Sequence, residues 1–337
     1  MPSLIRHDLS RKKILVTGGA GFIGSALVWE LNRRGLENIV IADLLGHGEK
    51  WKNLVPLRFD DYLEADVLRE RIRSGGDYLK TFHTVFHLGA NSSTTETDAR
   101  HLIENNFEFT KLLCHEARAH GARFVYASSA ATYGDGSAGM DDRSADLARL
   151  RPLNMYGYSK HMFDLYALRN EFLGEVAGLK YFNVFGPNEQ HKGEMRSLVV
   201  KAFEQVRADG RIRLFRSHRP DYRDGEQKRD FLYVKDAVRM TVHLAENNRA
   251  NGLFNLGSGE ANTWLRLARA IFAAMGEEEN IEFIDMPVSL REKYQYHTRA
   301  EIGKLRDSGF EEPLTELEEA VADYVREYLI PGRRLGE

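Results

Sequence analysis

The chain has 337 residues, 42% of them hydrophobic and 29% charged, with a formal net charge of −3. This composition is near the globular average, so we expect a buried core and exclude the disordered and collagen-like classes. The balanced charge argues against nucleic acid as a partner, and no apolar run is long enough to span a membrane. We therefore expect a cytoplasmic protein without nucleic-acid or membrane partners. The single cysteine, Cys114, and the scattered histidines predict no metal site.

A short apolar strand at residues 13–17 leads directly into a glycine turn and a helical pattern at residues 25–34. The turn contains Gly18, Gly21 and Gly24 in a G-x-x-G-x-x-G spacing. The missing side chains allow a tight turn, the approach of backbone N–H groups to a pyrophosphate, and close packing of the helix on the strand. This stretch predicts a dinucleotide site.

The second predicted strand, residues 38–42, ends in Asp43. A carboxylate at this distance from the glycines can accept both hydroxyls of an adenosine ribose. Because a carboxylate repels a 2′-phosphate, Asp43 alone favours NAD. Lys50, on the following loop, can reach the same phosphate, so NADP stays open as well.

Later strands end in small polar residues. A third strand is predicted at residues 55–59, and a fourth, residues 83–88, runs into the small residues 89–95. The carboxyl end of a parallel strand is where a doubly wound sheet places its ligand. The next strand, residues 123–127, is followed by Ser129, whose hydroxyl is a candidate to bond a reacting sugar oxygen.

Tyr156 and Lys160 are four residues apart at the start of a predicted helix, so they share one face. An ammonium one turn from a phenol favours the phenolate and lowers the tyrosine pKa from its usual ~10 toward neutrality. That shift suits removal of a proton from a sugar hydroxyl. With the glycine turn and Ser129 around it, we interpret the pair as acid/base groups.

The second half of the chain adds two cationic candidates. A strand at residues 178–182 leads into the loop 183–194, with Asn183 at the strand end and Lys192 beside a glycine. Asn183 can turn its amide toward a ligand. Arg229 starts a later apolar strand, and a guanidinium fork matches a diphosphate.

These elements predict an α/β fold: a Rossmann-like doubly wound parallel sheet with a smaller C-terminal α/β substrate domain. Residues 1–182, with parts of 230–260, form the predicted NAD(P)-binding domain, and residues 183–337 mainly the substrate-binding domain. The second domain includes a predicted loop at 293–297 and a final amphipathic helix at 314–330.

The motifs together resemble those of the extended short-chain dehydrogenase/reductase superfamily over nearly the whole chain. The residues that carry this resemblance are Gly18, Gly21, Gly24, Asp43, Ser129, Tyr156, Lys160, Asn183, residues 229–231 and residues 255–259. Within the superfamily, the chain is most similar to the ADP-L-glycero-D-manno-heptose 6-epimerases, which prepare heptose for bacterial lipopolysaccharide. That similarity lies in residues 92–96, 127–134, 152–160 and 181–193.

The resemblance implies an isomerase that converts ADP-D-glycero-β-D-manno-heptose to ADP-L-glycero-β-D-manno-heptose by inverting C6″. In this family a tightly bound cofactor, usually NADP, takes a hydride as the C6″ hydroxyl becomes a ketone, and the hydride returns to the other face. Tyr156 and Lys192 match the two acid/base groups, and Lys160 matches the residue that binds the nicotinamide ribose and tunes the tyrosine. The resemblance also implies a homo-oligomer, a pentamer or a pair of pentamers.

Further contacts are carried over from the family residue by residue. Cofactor contacts match Gly18, Gly21, Phe22, Ile23, Gly24, Asp43, Leu44, Lys50, Leu88, Gly89, Ala90, Asn91, Ser92, Asn105, Lys160 and Val184, and substrate contacts match Asn183, Phe215, Arg229 and Tyr294. Leu44 stands where the family has an asparagine that helps hold the 2′-phosphate, so this chain lacks one of the family's contacts to NADP. Glu194 and Lys201 replace a serine and a histidine that touch ligands, and the loop 216–227 is longer.

Three other functions share this scaffold. A 4,6-dehydratase needs an Asp-Glu pair where this chain has Ala130 and Ala131, so dehydration is not expected. A UDP-hexose 4-epimerase is the nearer alternative, but it rotates the whole sugar and has no need of Lys192. A non-catalytic dinucleotide-binding protein usually loses the tyrosine or the lysine, and both Tyr156 and Lys160 are present.

Overall fold

The protein is described by a computed structural model that covers residues 6–75, 77–144, 146–291 and 294–337. Lys293, the first residue of the predicted loop 293–297, lies outside the described residues. The strands are β1 (Lys13–Thr17), β2 (Ile39–Asp43), β3 (Asp61–Glu64), β4 (Phe82–His87), β5 (Arg123–Ser129), β6 (Ala177–Tyr181), β7 (Asn183–Phe185), β8 (Ile212–Phe215), β9 (Lys228–Arg229), β10 (Phe231–Tyr233), β11 (Gly252–Leu256), β12 (Asn262–Thr263) and β13 (Ile281–Ile284). The helices are α1 (Phe22–Arg33), α2 (Ala65–Arg73), α3 (Ala99–Leu102), α4 (Phe109–Ala119), α5 (Met155–Arg169), α6 (Leu198–Asp209), α7 (Val234–Glu246), α8 (Trp264–Met275), α9 (Val288–Arg291), α10 (Gly303–Asp307) and α11 (Leu317–Asp323).

The central sheet has seven parallel strands in the order β11-β6-β5-β4-β1-β2-β3. The chain moves outward from β1 to β3 and then returns to place β4 on the other side of β1. This reversal leaves a crevice at the carboxyl ends of β1 and β4, the usual ligand position in such sheets. The predicted Rossmann-like doubly wound parallel sheet is therefore confirmed.

Alternate residues of the strands point into two hydrophobic cores, one on each face of the sheet. Ile14 and Val16 of β1 join α1 and α7 in one core, whereas Leu15 joins α2, α4 and α5 in the other. Cys114 is a buried free thiol in the second core, and burial raises its pKa to about 12. Among the described residues, no helix combines the length and the apolar character needed to cross a membrane.

The third strand was predicted at the wrong place. Residues 50–57 form a short 3-10 helix and turns, and β3 begins only at Asp61. The side chain of Asn32 accepts a hydrogen bond from Arg58 N and donates one to Arg58 O, so this segment does not pair with the sheet. Leu57 is buried in the core instead, which explains its apolar pattern.

The second part of the chain builds smaller two-stranded units beside the main sheet. β7 pairs in parallel with β10, β8 pairs in parallel with β13, and β9 pairs antiparallel with β12. The final helix, predicted at 314–330, runs as α11 and then continues with a wider π-helical turn at Tyr324–Leu329. The division into two domains near residue 182 stays a prediction. Helix α1 from the first predicted domain and helices α6 and α8 from the second contribute to one continuous core.

Candidate active site

A two-lobed cleft opens at the carboxyl ends of β1, β4, β5 and β6. The larger lobe has a volume of about 690 Å³ and the smaller lobe about 390 Å³. Residues that line both lobes are Ser129, Tyr156, Tyr181, Phe182, Asn183 and Trp264. Tyr156 and Ser129 therefore stand where the two lobes meet, whereas Lys160 and Lys192 line the larger lobe alone.

The glycine turn forms one wall of the larger lobe. Gly18 has a positive φ of 71°, and a Cβ there would come 2.6 Å from the backbone N of Gly89. A Cβ on Gly24 would come 2.0 Å from the carbonyl oxygen of Gly18, so the start of α1 packs directly on the turn. No side chain of the described residues caps the N-terminus of α1. Uncapped helical N–H groups at a cavity wall suit a pyrophosphate, so the residues present fit a dinucleotide.

Asp43, at the end of β2, is a buried carboxylate that ties three elements together. Its oxygens accept hydrogen bonds from Ala20 N at 2.9 Å and Leu44 N at 2.7 Å, and Lys50 Nζ lies 2.5 Å away. Asp43 and Lys50 both line the larger lobe. The Leu44 side chain does not line it and is 45% exposed.

The segment after β4 forms the opposite wall. Leu88, Gly89, Ala90, Asn91 and Ser92 line the larger lobe, as the sequence predicts. Its shape is held by a residue that sequence analysis missed.

That residue is Asn106, which is buried in a π-helical turn between α3 and α4. Its side chain accepts from Asn91 N at 2.9 Å and donates to Asn91 O at 2.9 Å and to Ser159 Oγ at 3.0 Å. Its neighbour Asn105 lines neither lobe, and its amide bonds Arg69 and His101 instead. Two adjacent asparagines in a helical segment were the signal in the sequence, and the wider turn decides which one faces inward.

Helix α5 presents Tyr156 and Lys160 to the larger lobe. Asn154 caps the helix by accepting from Gly157 N at 2.8 Å. A Cβ at Gly157 would come 2.8 Å from Ala131 O, so only glycine lets α5 approach the end of β5 this closely. This approach brings Tyr156 beside Ser129.

The predicted lowering of the Tyr156 pKa by Lys160 is wrong for the free protein. Burial raises the pKa of the Tyr156 phenol, and the interaction with the Ser129 hydroxyl opposes this only in part. Burial also lowers the pKa of Lys160 to about 8, against the attraction of Asp164. Desolvation penalises both charged forms, and this cost was not visible from the helical spacing.

A fully buried ion pair joins this helix to β6, and sequence analysis missed it. Lys180 Nζ on β6 is 3.0 Å from Asp164 Oδ2 on α5, and both side chains have no exposure. Asp164 also accepts from Tyr126 Oη at 2.9 Å and Ser128 Oγ at 2.7 Å. Asp164 follows Lys160 by one helical turn, and its negative charge favours the ammonium form of Lys160.

Lys192 lies in a 3-10 segment after β7 and lines the larger lobe with Tyr156. Phe22 is the first residue of α1, and the Nζ of Lys192 lies 5.2 Å from the centre of its ring. Burial lowers the pKa of Lys192, while nearby Glu189 raises it. Phe22, Ile23 and Val184 also line this lobe.

Arg229 is the main cation of the smaller lobe. Its buried guanidinium lies 4.9 Å from the Tyr294 ring and 5.8 Å from the Trp264 ring. Burial lowers the pKa of Arg229, and among the described residues no carboxylate offsets that cost; only Tyr294 and Tyr222 oppose it. A buried cation held between aromatic rings is suited to an anionic ligand. Trp264, a wall of both lobes, had no signal in the sequence beyond being one of three tryptophans.

The remaining predicted contacts do not converge on the cleft. Phe215, at the end of β8, lines neither lobe. The loop 216–227 is closed by a hydrogen bond from the Gln227 side chain to the carbonyl oxygen of Phe215. Glu194 and Lys201 line neither lobe and bond to each other at 3.3 Å. These two replacements therefore do not alter the wall of the cleft.

The fold and the cleft define a dinucleotide-dependent enzyme, and comparison with known proteins identifies its family. The model of the NAD dependent epimerase/dehydratase family matches residues 14–257, and the chain belongs to that family. The chain is 54% identical to the ADP-L-glycero-D-manno-heptose-6-epimerase of Nitratidesulfovibrio vulgaris over 94% of this chain and 97% of that protein. Within that family, the chain belongs to the ADP-L-glycero-D-manno-heptose-6-epimerases.

Solved structures of epimerases share the fold. The crystal structure of Helicobacter pylori ADP-L-glycero-D-manno-heptose-6-epimerase is similar with a TM-score of 0.78 and 28% identity, over 95% of this chain and 96% of that one. Thermus thermophilus UDP-glucose 4-epimerase, in complex with NAD, is similar with a TM-score of 0.72 and 25% identity, over 93% of this chain and 97% of that one. The cofactor of this chain is a nicotinamide dinucleotide.

Proposed function

We propose that the protein converts ADP-D-glycero-β-D-manno-heptose to ADP-L-glycero-β-D-manno-heptose by oxidation and reduction at C6″. The observation that carries this proposal is that Tyr156 and Lys192, from different elements, line the same lobe. An inversion through a ketone needs an acid/base group for each orientation of the sugar. The names of the similar proteins support the substrate.

The glycine turn, the N-terminus of α1 and Asp43 would hold the dinucleotide, with Lys160 at the nicotinamide ribose. When bound, the nicotinamide supplies a reversible hydride acceptor for C6″. The 2′-phosphate form, NADP, is favoured because Lys50 Nζ lies 2.5 Å from Asp43 and neutralises that carboxylate. A neutral pair repels a 2′-phosphate far less than a free carboxylate would, and the ammonium offers it a partner.

Burial shifts both acid/base groups toward their neutral forms. Burial lowers the pKa of Lys192 and so makes its ammonium easier to deprotonate, and the amine form would accept the proton of the C6″ hydroxyl. The raised pKa of Tyr156 keeps a phenol that donates a proton to the ketone oxygen when C6″ is reduced from its other face. Proton exchange with solvent would then return Lys192 to the amine and Tyr156 to the phenol before the next turnover. Ser129 bonds the reacting oxygen, and each proton transfer contributes on the order of 10²- to 10⁴-fold to the rate.

The smaller lobe would bind the nucleotide end of the substrate. Arg229 is placed to pair with the diphosphate, and Tyr294 beside it to flank the same group. Asn183, which lines both lobes, would bond the sugar between them. In this arrangement C6″ would lie at the junction of the lobes, beside Tyr156.

We also propose that the protein acts in the cytoplasm as a homo-oligomer, with a pentamer as the first candidate, and supplies heptose for a lipopolysaccharide core. The resemblance to the heptose epimerases is the support for these points. Sedimentation or light scattering of the purified protein gives the subunit number directly.

The activity is tested by incubating purified protein with ADP-D-glycero-β-D-manno-heptose and, separately, with UDP-glucose. We expect the L-glycero epimer from the first sugar, without net change in the redox state of added dinucleotide, and no epimer from the second. Turnover of the UDP-hexose with no change in the ADP-heptose would instead indicate a UDP-hexose 4-epimerase.

A further inference from the structure

The loop that carries Lys192, residues 186–197, is closed on itself by a buried carboxylate. Glu189 has no exposure, and its oxygens accept hydrogen bonds from Gly186 N at 3.3 Å, Ser197 N at 2.5 Å and Ser197 Oγ at 2.6 Å. The two ends of the loop are therefore joined through one side chain. Lys192 N also donates to Glu189 O at 3.0 Å, so Lys192 belongs to this closed unit.

Asn188 fixes the closed loop to the rest of the molecule. It is fully buried and has a positive φ of 78°, one of two non-glycine residues with positive φ among the described residues. Its Nδ2 donates to Ser25 Oγ on α1 at 3.0 Å, and its Oδ1 accepts from Leu335 N at 3.0 Å. A strained backbone persists only where its surroundings hold it, and here the side-chain bonds to α1 and residue 335 do so.

Asn53 makes a second tie, and it reaches the glycine turn directly. Its side chain is buried, and its Nδ2 donates to Ala20 O at 3.1 Å and to Asn188 O at 3.1 Å. Ala20 lies between Gly19 and Gly21 of the turn, and its N–H donates to Asp43. One amide group thus joins the predicted dinucleotide-binding turn to the loop of Lys192.

We propose that Asn53 and Asn188 are positioning residues that hold Lys192 at a fixed position relative to the glycine turn. The proposal rests on the catalytic role of Lys192 given under the proposed function. Neither asparagine lines the cleft, so each acts through the loop and not through the substrate. A displacement of about 1 Å at a reacting group costs on the order of 10²-fold in rate, so fixing this loop matters for turnover.

The direct test compares Asn188→Gly, Asn53→Ala and the matched control Asn32→Ala. Glycine accepts the positive φ of residue 188 and loses only the side-chain bonds. Asn32 is also a largely buried asparagine that bonds backbone groups, but it holds the segment near Arg58. We expect kcat to fall at least about 10-fold in both test variants with KM little changed, and the bound dinucleotide little changed in Asn188→Gly, whose side chain does not bond the glycine turn. Asn32→Ala should keep the kcat of the original protein.

A second measurement separates positioning from general damage. Asn188→Gly is combined with Lys192→Met, and the residual epimerisation is compared with that of Lys192→Met alone. Residues that act through one another are not additive, so the second substitution should have little further effect. Ser25→Ala, which removes one bond to Asn188 and leaves the loop sequence intact, should lower kcat several-fold and show the same non-additivity if Asn188→Gly does not fold.

Three results would overturn the positioning role: an unchanged kcat in Asn188→Gly and Asn53→Ala, an equal fall in Asn32→Ala, or an additive loss in the Lys192→Met background. Full activity of Lys192→Met by itself would remove the catalytic role of Lys192 and the positioning role with it. An inactive Lys192→Met with fully active asparagine variants removes the positioning role alone. The two failures are therefore distinguishable.

Discussion

Lys180 Nζ lies 3.0 Å from Asp164 Oδ2, with neither side chain exposed, and Asp164 is part of the helix that presents Tyr156 and Lys160. Both ions have lost their water, so their attraction must offset a large desolvation cost. The pair also receives two hydroxyl donors, Tyr126 and Ser128, which complete the bonding of the carboxylate. The active-site helix is thus tied to β6 by an ion pair in which each charge needs the other to remain buried.

Replacing Asp164 with Asn should destabilise the protein strongly, because the Lys180 ammonium would stay buried without its counter-ion. We expect a loss of about 3–5 kcal/mol in the free energy of unfolding, measured with denaturant at neutral pH. The control is Asp60→Asn, which breaks the exposed pair between Asp60 and Lys13 and should cost under about 1 kcal/mol. Similar losses in the two variants would show that burial does not govern this pair.

Replacing Lys192 with Met should remove one of the two acid/base groups while keeping much of the apolar contact with Phe22. We expect kcat to fall by about 10²- to 10⁴-fold with the dinucleotide still bound, measured by epimerisation and by the cofactor content of the purified variant. Lys201→Met is the matched control, since Lys201 bonds Glu194 outside the cleft and its loss should leave kcat unchanged. Retention of full activity by Lys192→Met would contradict the two-base mechanism.

The dinucleotide released when the purified protein is denatured should be NADP. Lys50→Ala removes the ammonium beside Asp43 and should weaken NADP relative to NAD by about 10- to 100-fold in a competition experiment, as expected for one charge-assisted bond. Lys52→Ala, at an exposed lysine that pairs with Glu49, should leave the preference intact. Release of NAD, with no effect of Lys50→Ala, would overturn the proposed preference.

His7 should make the protein sensitive to acid. Burial lowers its pKa from 6.5 to about 4, and its Nε2 lies 2.8 Å from Thr84 Oγ1. The unfolded chain binds a proton at the ordinary pKa and the folded chain does not, so stability is lost as pH falls from about 6.5 to about 4. Within that window, His7→Asn should reduce the slope of unfolding free energy against pH by up to about 1.4 kcal/mol per unit. An unchanged slope would show that His7 does not contribute.

Local patterns in the sequence were sufficient to predict the parts of the site that are built locally. The glycine turn, Asp43 at a strand end and the Tyr156–Lys160 pair depend on spacing over a few residues, and each lines the larger lobe. The parallel sheet followed from short apolar strands separated by helical patterns. These features are specified by neighbours in the chain.

Features that depend on distant residues were missed or misplaced. The segment at 55–59 is apolar like a strand, but Asn32 binds its end and the sheet pairs only from Asp61. The pKa of Tyr156 is governed by burial, which helical spacing does not reveal. The pairing of Asp164 with Lys180 joins a helix to a strand, and no local pattern predicts that contact.

The central claim is that C6″ is inverted by removal and return of the same hydrogen through a bound nicotinamide. Its most direct test is epimerisation of ADP-D-glycero-β-D-manno-heptose deuterated at C6″ in ordinary water, with the product analysed by mass spectrometry and NMR. The account predicts that the L-glycero product keeps its deuterium at C6″ and that added dinucleotide is neither consumed nor reduced. Replacement of that deuterium by hydrogen from solvent would contradict the account, because it would mean that C6″ loses a proton and not a hydride.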